Sequence, residues 1–321
     1  MQLLAPLIAL LGLAATVEVD ATGTHRGSFQ TLAQGVGKLS ASTTPQTIFV
    51  YPGVYREQVI VPKLNGPLIL QGYTCDAMVY TSNQVTITQA KAQKDIPASI
   101  INNRNDLTTT LLLKSDNVKV YNLNVANTAG DVGQAIAVKA DGANYGFYAC
   151  KFTGYQDTLY ANKGPSVYAK SYISGTVDFV FGLYAQAWFE TCDIVSIGKG
   201  CIAANDRDSA TNPSRYVFNN ARVTGTGGVG TAYLGRPWKP FSRVVWQNSD
   251  LSNVINPEAW QIWTKDDSVA NVDFKEFNNR GLGAAVNKRV SFSGRLAKAV
   301  PITEILGANY KTQWWVDTKY L

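Results

Sequence analysis

The chain has 321 residues, of which 45% are hydrophobic, and it carries a net charge of +6 with a pI near 9.0. Its single histidine, His25, excludes a Ser-His-Asp hydrolase and histidine-based zinc sites, and its four cysteines form no CxxC pair. The basic charge suits a polyanionic ligand, but the lack of a Lys/Arg run or a helix-turn-helix or RNP-like motif argues against nucleic acid.

The N-terminus is apolar from Leu3 to Ala15, which predicts a secretory signal peptide over residues 1–15 and an extracellular protein. This stretch is too short for an ordinary membrane span, and no other segment comes close to one, so we expect no membrane association. Residues 16–321 are predicted to form one elongated domain that works as a monomer.

Several elements are predicted before the regular part of the chain. A short helix over 28–40 is expected to cap the open N-terminal end. Early strands are expected over 47–51, 58–61 and 68–71, followed by a longer excursion over 83–101. Residues 111–114, 118–125 and 135–138 then lead into the repeats.

The central part of the chain repeats itself every 20 to 30 residues. Small residues recur at Cys150, Ser171, Cys192, Ala221 and Ser249. An aromatic residue precedes each by three places, at Phe147, Tyr168, Phe189, Phe218 and Trp246, and an apolar residue follows each by two, at Phe152, Ile173, Ile194, Val223 and Leu251. Such periodicity, with β-branched and aromatic residues, predicts an all-β fold, a right-handed parallel β-helix in which each coil adds one rung.

Asp157 and Asp178 occupy the same position of two successive repeats, seven residues after their small-residue anchors. Adjacent rungs are about 4.8 Å apart, so the two carboxylates should stand one above the other. Their repulsion should keep a proton on one when the other has lost it, which suits acid/base and nucleophilic catalysis. A solvated aspartate ladder or a calcium site would produce the same spacing.

Two later segments offer further contacts. Residues 203–215 are polar, and we predict a loop beside the site in which Arg207 contacts substrate. YLGRPW, residues 233–238, supplies Arg236, a cation able to hold one carboxylate, and the flat ring of Trp238. A β-turn at Pro237 with a surface arginine is the alternative.

The same repeat register bears on disulfides. Cys150 and Cys192 lie two rungs apart, so their Cα atoms should be roughly 9 to 10 Å apart, beyond disulfide reach. We predict that both are free, buried cysteines, and a Cys192–Cys201 bridge is left open.

Four ordered segments together resemble the pectin methylesterase family: GQAIAV (133–138), GYQDTLY (154–160), GTVDFVFG (175–182) and YLGRPW. The likeness spans roughly residues 25–321, and the tail after Pro301 resembles the family's C-terminal segment, which is expected to pack on the outside of the solenoid. Lys139, where relatives often show Arg, and Glu258-Ala259-Trp260, in place of a common Gly-Trp pairing, are departures.

The resemblance implies hydrolysis of methyl esters in pectin, or homogalacturonan, with release of methanol and no metal or organic cofactor. It implies that Asp178 is the nucleophile and that Asp157 is the acid and then the base. Gln134 and Gln156 would stabilise the oxyanion, and Arg236 would pair with Asp178. Substrate would contact the aromatic residues Tyr160, Phe181 and Trp238.

Two other functions fit the same architecture. A pectate lyase would need calcium and release unsaturated ends, and a polygalacturonase would need a different acidic cluster to cut glycosidic bonds. A non-catalytic pectin-binding protein would bind the polymer without releasing methanol.

Overall fold

The computed structural model describes residues 15–321 of the chain. The predicted signal peptide, residues 1–15, lies outside the described residues except for Ala15, where the first strand begins.

Three parallel sheets wind around one core, so each coil of the chain contributes a strand to each sheet in turn. Sheet 1 contains β1 (Ala15–Val19), β2 (Gln46–Val50), β5 (Leu68–Gly72), β8 (Val118–Tyr121), β11 (Tyr145–Tyr148), β14 (Pro165–Ala169), β17 (Gln186–Glu190), β20 (Arg215–Asn219), β23 (Arg243–Gln247), β25 (Asp273–Phe277) and β26 (Ser293–Arg295). Sheet 2 contains β3 (Gly53–Arg56), β6 (Val85–Gln89), β9 (Asn124–Asn127), β12 (Lys151–Thr153), β15 (Tyr172–Gly175), β18 (Asp193–Ser196), β21 (Arg222–Gly225) and β24 (Asp250–Leu251). Sheet 3 contains β4 (Val59–Val61), β7 (Leu111–Leu113), β10 (Val138–Ala140), β13 (Leu159–Ala161), β16 (Val180–Gly182), β19 (Gly200–Asn205) and β22 (Ala232–Pro237). The all-β parallel β-helix prediction is confirmed.

The predicted repeat register is the register of the core. The five aromatic residues of the repeat, from Phe147 to Trp246, stack on successive coils with centroid spacings of 4.8, 4.7, 4.3 and 3.9 Å. The apolar position after each small residue pairs in the same order on sheet 2, as Phe152 with Ile173 and Ile173 with Ile194. Both rows are fully buried, so one continuous apolar column runs along the solenoid.

A second regularity lies at the corner between sheets 1 and 2. The residue before each small anchor adopts a left-handed backbone, with φ near 50° at Ala149, Lys170, Thr191, Asn220 and Asn248. These residues share a conformation but no side-chain type, although asparagine tolerates it best. The turn is therefore set by the coil geometry.

A short helix packs at the N-terminal end of the solenoid. The N-terminal helix α1 (Leu32–Val36) is shorter than the predicted 28–40, because a capping box at Thr31 and Gln34 starts it and Gly37 ends it. His25 lies near this end, where its Nδ1 is 2.8 Å from Asp20 Oδ2 and its ring stacks on Tyr51.

The C-terminal tail packs on the outer face of sheet 1, as predicted. Helix α3 (Thr303–Leu306) and the residues after it bury Ile305, Leu306 and Trp315 against Val167 and Trp188. The other short elements are helix α2 (Arg104–Thr108) and the 3-10 helices Tyr80–Ser82, Gln93–Asp95, Leu282–Ala284, Tyr310–Thr312 and Thr318–Tyr320. Among residues 15–321, no helix is long and apolar enough to cross a membrane.

Several predicted boundaries are wrong. The element predicted over 135–138 overlaps β10 only at Val138, and the loop predicted over 203–215 begins inside β19. The excursion predicted over 83–101 contains strand β6, whose Val85 and Ile87 point into the core while Thr86 and Thr88 alternate with them. The single element predicted over 118–125 is two strands, because the chain turns at Asn122, where φ is 53°.

All four cysteines are free thiols in this part of the chain, and Cys150, Cys192 and Cys201 are buried. The predicted absence of a Cys150–Cys192 bridge is confirmed, and the Cys192–Cys201 bridge that the sequence left open is not formed.

Candidate active site

Asp157 and Asp178 lie at equivalent positions of adjacent coils, each two residues before a strand of sheet 3. Asp157 precedes β13 and Asp178 precedes β16, and the bridge between Gln156 and Val177 fixes the register just before them. Both aspartates have a left-handed backbone, with φ of 64° and 49°, and they are only 8% and 4% exposed. Backbone strain of this kind persists where surrounding structure enforces it, and it often occurs at functional sites.

Arg236, on β22, forms a bidentate ion pair with Asp178. Its Nε donates to Asp178 Oδ1 at 2.9 Å and its Nη2 donates to Oδ2 at 2.6 Å. A planar, bidentate pair favours the ionised form of the carboxylate and fixes its orientation. Asp157 makes no such pair with a cation among residues 15–321, so the two carboxyl groups have different environments.

This difference separates their proton affinities. Burial, reinforced by the negative charge of Asp178, raises the pKa of Asp157 well above its usual range, and Arg236 only partly opposes it. Burial also raises the pKa of Asp178, but the hydrogen bonds and the positive charge of Arg236 partly offset this increase. Asp178 therefore loses its proton first, and Asp157 keeps its proton at a pH where Asp178 is ionised.

Two side-chain amides lie beside the aspartates. Gln134 and Gln156 pair as a parallel bridge on adjacent coils, one residue from the aspartate row. Both are partly exposed, and neither side-chain amide hydrogen-bonds to any residue within 15–321, so their N–H groups are free for a ligand.

Four aromatic rings lie close to one another next to the two aspartates. Tyr160 and Phe181 pair across β13 and β16 on the outer face of sheet 3, with ring centroids 4.3 Å apart. Trp238 lies 6.2 Å from Phe181, and Trp263 lies 6.2 Å beyond it. We call Tyr160, Phe181, Trp238 and Trp263 the aromatic platform.

Comparison with known proteins shows the family to which the chain belongs. The family profile described as Pectinesterase matches residues 16–301. The pectinesterase of Aspergillus niger is 43% identical over 305 residues, covering 92% of this chain and 89% of that protein, and the pectinesterase of Aspergillus aculeatus is 42% identical with the same coverage. The chain belongs to the pectinesterase family.

Solved structures agree with this membership. A crystal structure of the Aspergillus niger pectin methylesterase superposes with a TM-score of 0.86 at 34% identity, covering 95% of this chain and 97% of that one. Pectin methylesterase from carrot superposes with a TM-score of 0.82 at 28% identity, covering 93% and 95%. As a member of this family, the enzyme hydrolyses the methyl esters of pectin.

Trp263 was not predicted from the sequence. Its ring lies 3.9 Å from the guanidinium carbon of Arg236 and so shields the Arg236–Asp178 pair on one side. The segment that carries it, after Trp260, has no strand and no repeat register, so no periodic signal could have placed it.

Lys139, the departure noted in the sequence, lies in the same outer row as Tyr160. Its Nζ is 2.6 Å from Asp106 Oδ1 and 4.8 Å from the centre of the Tyr160 ring. It therefore keeps a cation against the first ring of the aromatic platform, as an arginine there would.

Arg207 does not reach the site in the predicted way. It is 5% exposed, and its guanidinium donates to the backbone carbonyls of Asn212, Ala210 and Phe241. Because these backbone carbonyls occupy its donors, Arg207 stabilises the conformation of the loop after β19. This position does not support the predicted contact with substrate.

Proposed function

We propose that this pectinesterase cleaves the methyl ester through Asp178 as nucleophile, with Asp157 serving first as acid and then as base. The observation that carries the proposal is the unequal pair: Asp178 forms a bidentate ion pair with Arg236, whereas Asp157 beside it has no cation partner within residues 15–321 and burial raises its pKa. A carboxylate next to a carboxylic acid is what attack and protonation require together.

The first half of the reaction forms an acyl-enzyme. A carboxylate oxygen of Asp178 bonds to the ester carbonyl carbon, and the carbonyl oxygen takes the negative charge, facing the amide groups of Gln134 and Gln156. When the intermediate collapses, the C–O bond to the methoxy group breaks. Asp157 gives its proton to the departing oxygen, so methanol leaves as a neutral molecule.

The second half restores the enzyme. Asp157, now a carboxylate, takes a proton from water as that water attacks the acyl carbon. The bond between the acyl carbon and the Asp178 oxygen breaks, and the galacturonic acid unit that is released gives its remaining proton to solvent and becomes a carboxylate. At the end Asp178 is ionised and Asp157 is protonated again, so the cycle closes without a metal or cofactor.

The aromatic platform is proposed to bind the sugar chain. Pyranose rings pack on flat aromatic faces, and the row from Tyr160 to Trp263 passes directly beside the Arg236–Asp178 pair. We also propose that the enzyme is secreted and monomeric, as the predicted signal peptide and single domain suggest. Its presence in culture medium and its size on a calibrated gel-filtration column test these points.

Methanol release from highly methylated pectin, without added calcium, tests the mechanism. Asp178→Ala should lose activity by at least about a thousandfold because it removes the nucleophile. Asp250→Ala is the matched control, since Asp250 is an aspartate on sheet 2 with a 46% exposed side chain, and it should behave as wild type. Methanol release by Asp178→Ala at the control's rate would refute the assignment.

A further inference from the structure

Asp206 is a carboxylate at the edge of the aromatic platform that the reaction does not use. On sheet 3, Phe181 pairs with Ala204 and Ala204 with Arg236, and these three face outward. Side chains alternate along a strand, so the next outward positions are Leu183, Asp206 and Trp238. The Asp206 N–H donates to the Gly182 carbonyl at 2.9 Å, which continues the ladder to this row.

The carboxyl group of Asp206 is nearly buried and lacks a direct partner. Asp206 is 9% exposed, yet its side chain makes no hydrogen bond or ion pair with any residue in the described part of the chain. Two cations beside the platform are already paired with other aspartates, Lys139 with Asp106 and Arg236 with Asp178.

The charged and titratable groups around Asp206 come from several elements. Lys239 follows β22 and attracts the Asp206 carboxylate, Asp208 on the same loop repels it, and the hydroxyls of Tyr160 on β13 and Tyr216 on β20 lie within electrostatic range of it. Its negative charge is thus only partly offset, by a lysine that lies beyond ion-pair distance.

The substrate presents two kinds of sugar unit that aromatic rings cannot tell apart. A methyl-esterified galacturonate is neutral and a demethylated one carries a carboxylate, but both have the same apolar ring face. Discrimination between the two sugar units needs a charged group close to the platform. Asp206 places a negative charge there.

We propose that Asp206 is a specificity-determining residue whose carboxylate disfavours a demethylated galacturonate unit on the aromatic platform and so favours a methyl-esterified one. The proposal rests on the assignment of the platform as the sugar-binding surface. It predicts that the enzyme releases demethylated stretches more readily when Asp206 is ionised.

The proton affinity of Asp206 is consistent with this role. Burial, partly opposed by Lys239, raises the pKa of Asp206 to about 6. Below that pH the group is neutral and the repulsion is absent, whereas at pH 8 it is fully present. Discrimination against the free acid should therefore increase as pH rises from 5 to 8.

Direct binding of polygalacturonate, measured by titration calorimetry at pH 5 and pH 8, tests the proposal without requiring turnover. Asp206→Asn should bind polygalacturonate about threefold to tenfold more tightly than wild type at pH 8, because it removes a repulsion of about 0.7 to 1.4 kcal/mol. At pH 5 the two should bind alike. Asp157 and Asp178 titrate in both proteins, so the difference between them isolates Asp206.

Asp208→Asn is the matched control, because it removes the same charge two residues away on an exposed loop position and should bind as wild type does. Equal affinities of wild type and Asp206→Asn at pH 8, or an equal gain in Asp208→Asn, would overturn the proposal. Asp206→Ser provides a second neutral variant if Asp206→Asn folds poorly. Methanol release by the wild type reports separately on the proposed function.

Discussion

At the scale of single residues, one cation makes two chemically identical side chains different. Arg236 approaches Asp178 from two coils away and leaves Asp157 with a like charge as its neighbour. Trp263 covers the arginine, which limits the water that could screen the pair. The roles proposed for the two aspartates thus follow from which coil carries the arginine.

Asp157 is expected to lower the stability of the folded enzyme at neutral pH. Its pKa is raised on folding, so between its unfolded pKa, about 3.9, and its higher folded pKa the folded state retains a proton that the unfolded state releases. Stability from this group therefore falls as pH rises through that window. Asp157→Asn is uncharged, keeps the shape and tolerates the left-handed backbone.

Asp157→Asn should accordingly unfold at a higher temperature than wild type at pH 7, by about 2 to 4 °C for each kcal/mol recovered, and the gap should close near pH 4. Its rate of methanol release should fall by about 10²- to 10⁴-fold. Thermal melts at both pH values measure the first effect. Asp250→Asn, an exposed control, should show no gap, and a pH-independent gap in Asp157→Asn would contradict the argument.

Much of this site could be predicted from the sequence because its residues lie on a periodic frame. Asp157 and Asp178 each follow their small-residue anchor by seven places, and Tyr160 and Phe181 each follow theirs by ten, so the repeat alone predicts which of these residues are neighbours. Asp206 could not be recognised in this way. Its row becomes visible only when the strand pairing of β16, β19 and β22 is observed.

At the scale of elements, the sheet 3 strands depend on close backbone approach below the platform. Gly182 ends β16 with φ of 153°, and a Cβ there would lie 1.7 Å from the Ala161 carbonyl oxygen. The obstacle is backbone of the neighbouring strand β13, which cannot move away as a flexible side chain could. A side chain at this position must therefore separate β13 from β16, the strands that carry Tyr160 and Phe181.

Gly182→Ala should destabilise the enzyme by well over the ~1 kcal/mol of an average substitution, and it should raise KM for pectin in whatever fraction folds. Chemical denaturation and steady-state kinetics measure the two effects. Gly37→Ala is the control, because Gly37 has an ordinary negative φ and its Cβ would meet nothing closer than 3.4 Å. Wild-type stability in Gly182→Ala would show that the two strands are not held this closely.

The elements that sequence reasoning missed share a physical cause. The aromatic row was predictable because side-chain type and register coincide, whereas the left-handed corner is a backbone state adopted by Ala149, Lys170 and Thr191 alike. Strand β6 was missed because the polar stretch that follows it, residues 91–95, led to the whole of 83–101 being predicted as one excursion. The sequence repeat therefore predicts which side chains are buried, but it does not predict the backbone conformation at the corners.

At the scale of the whole molecule, the enzyme gains its stability from a continuous hydrophobic core, and its four cysteines form no disulfide bond. Many extracellular proteins rely on disulfides, mainly small ones whose cores are insufficient. Here each coil buries its aromatic and apolar rows on the coil below, from Phe147 to Trp246, and the tail covers one outer face. Cys150 and Cys192 serve as small buried side chains in that core, and a bridge between them would require a different register.

The thiols can therefore report on the whole fold. Ellman's reagent should modify one thiol per native chain, Cys75, because it alone of the four is exposed. Burial raises the pKa of Cys150 to about 12 and raises those of Cys192 and Cys201 as well, so the reactive thiolate is scarce at these positions. In guanidinium without reductant all four should react, and a reductant should leave the melting temperature unchanged. A count of two in guanidinium would mean that a disulfide joins two of the cysteines, which would contradict the four free thiols of this structure.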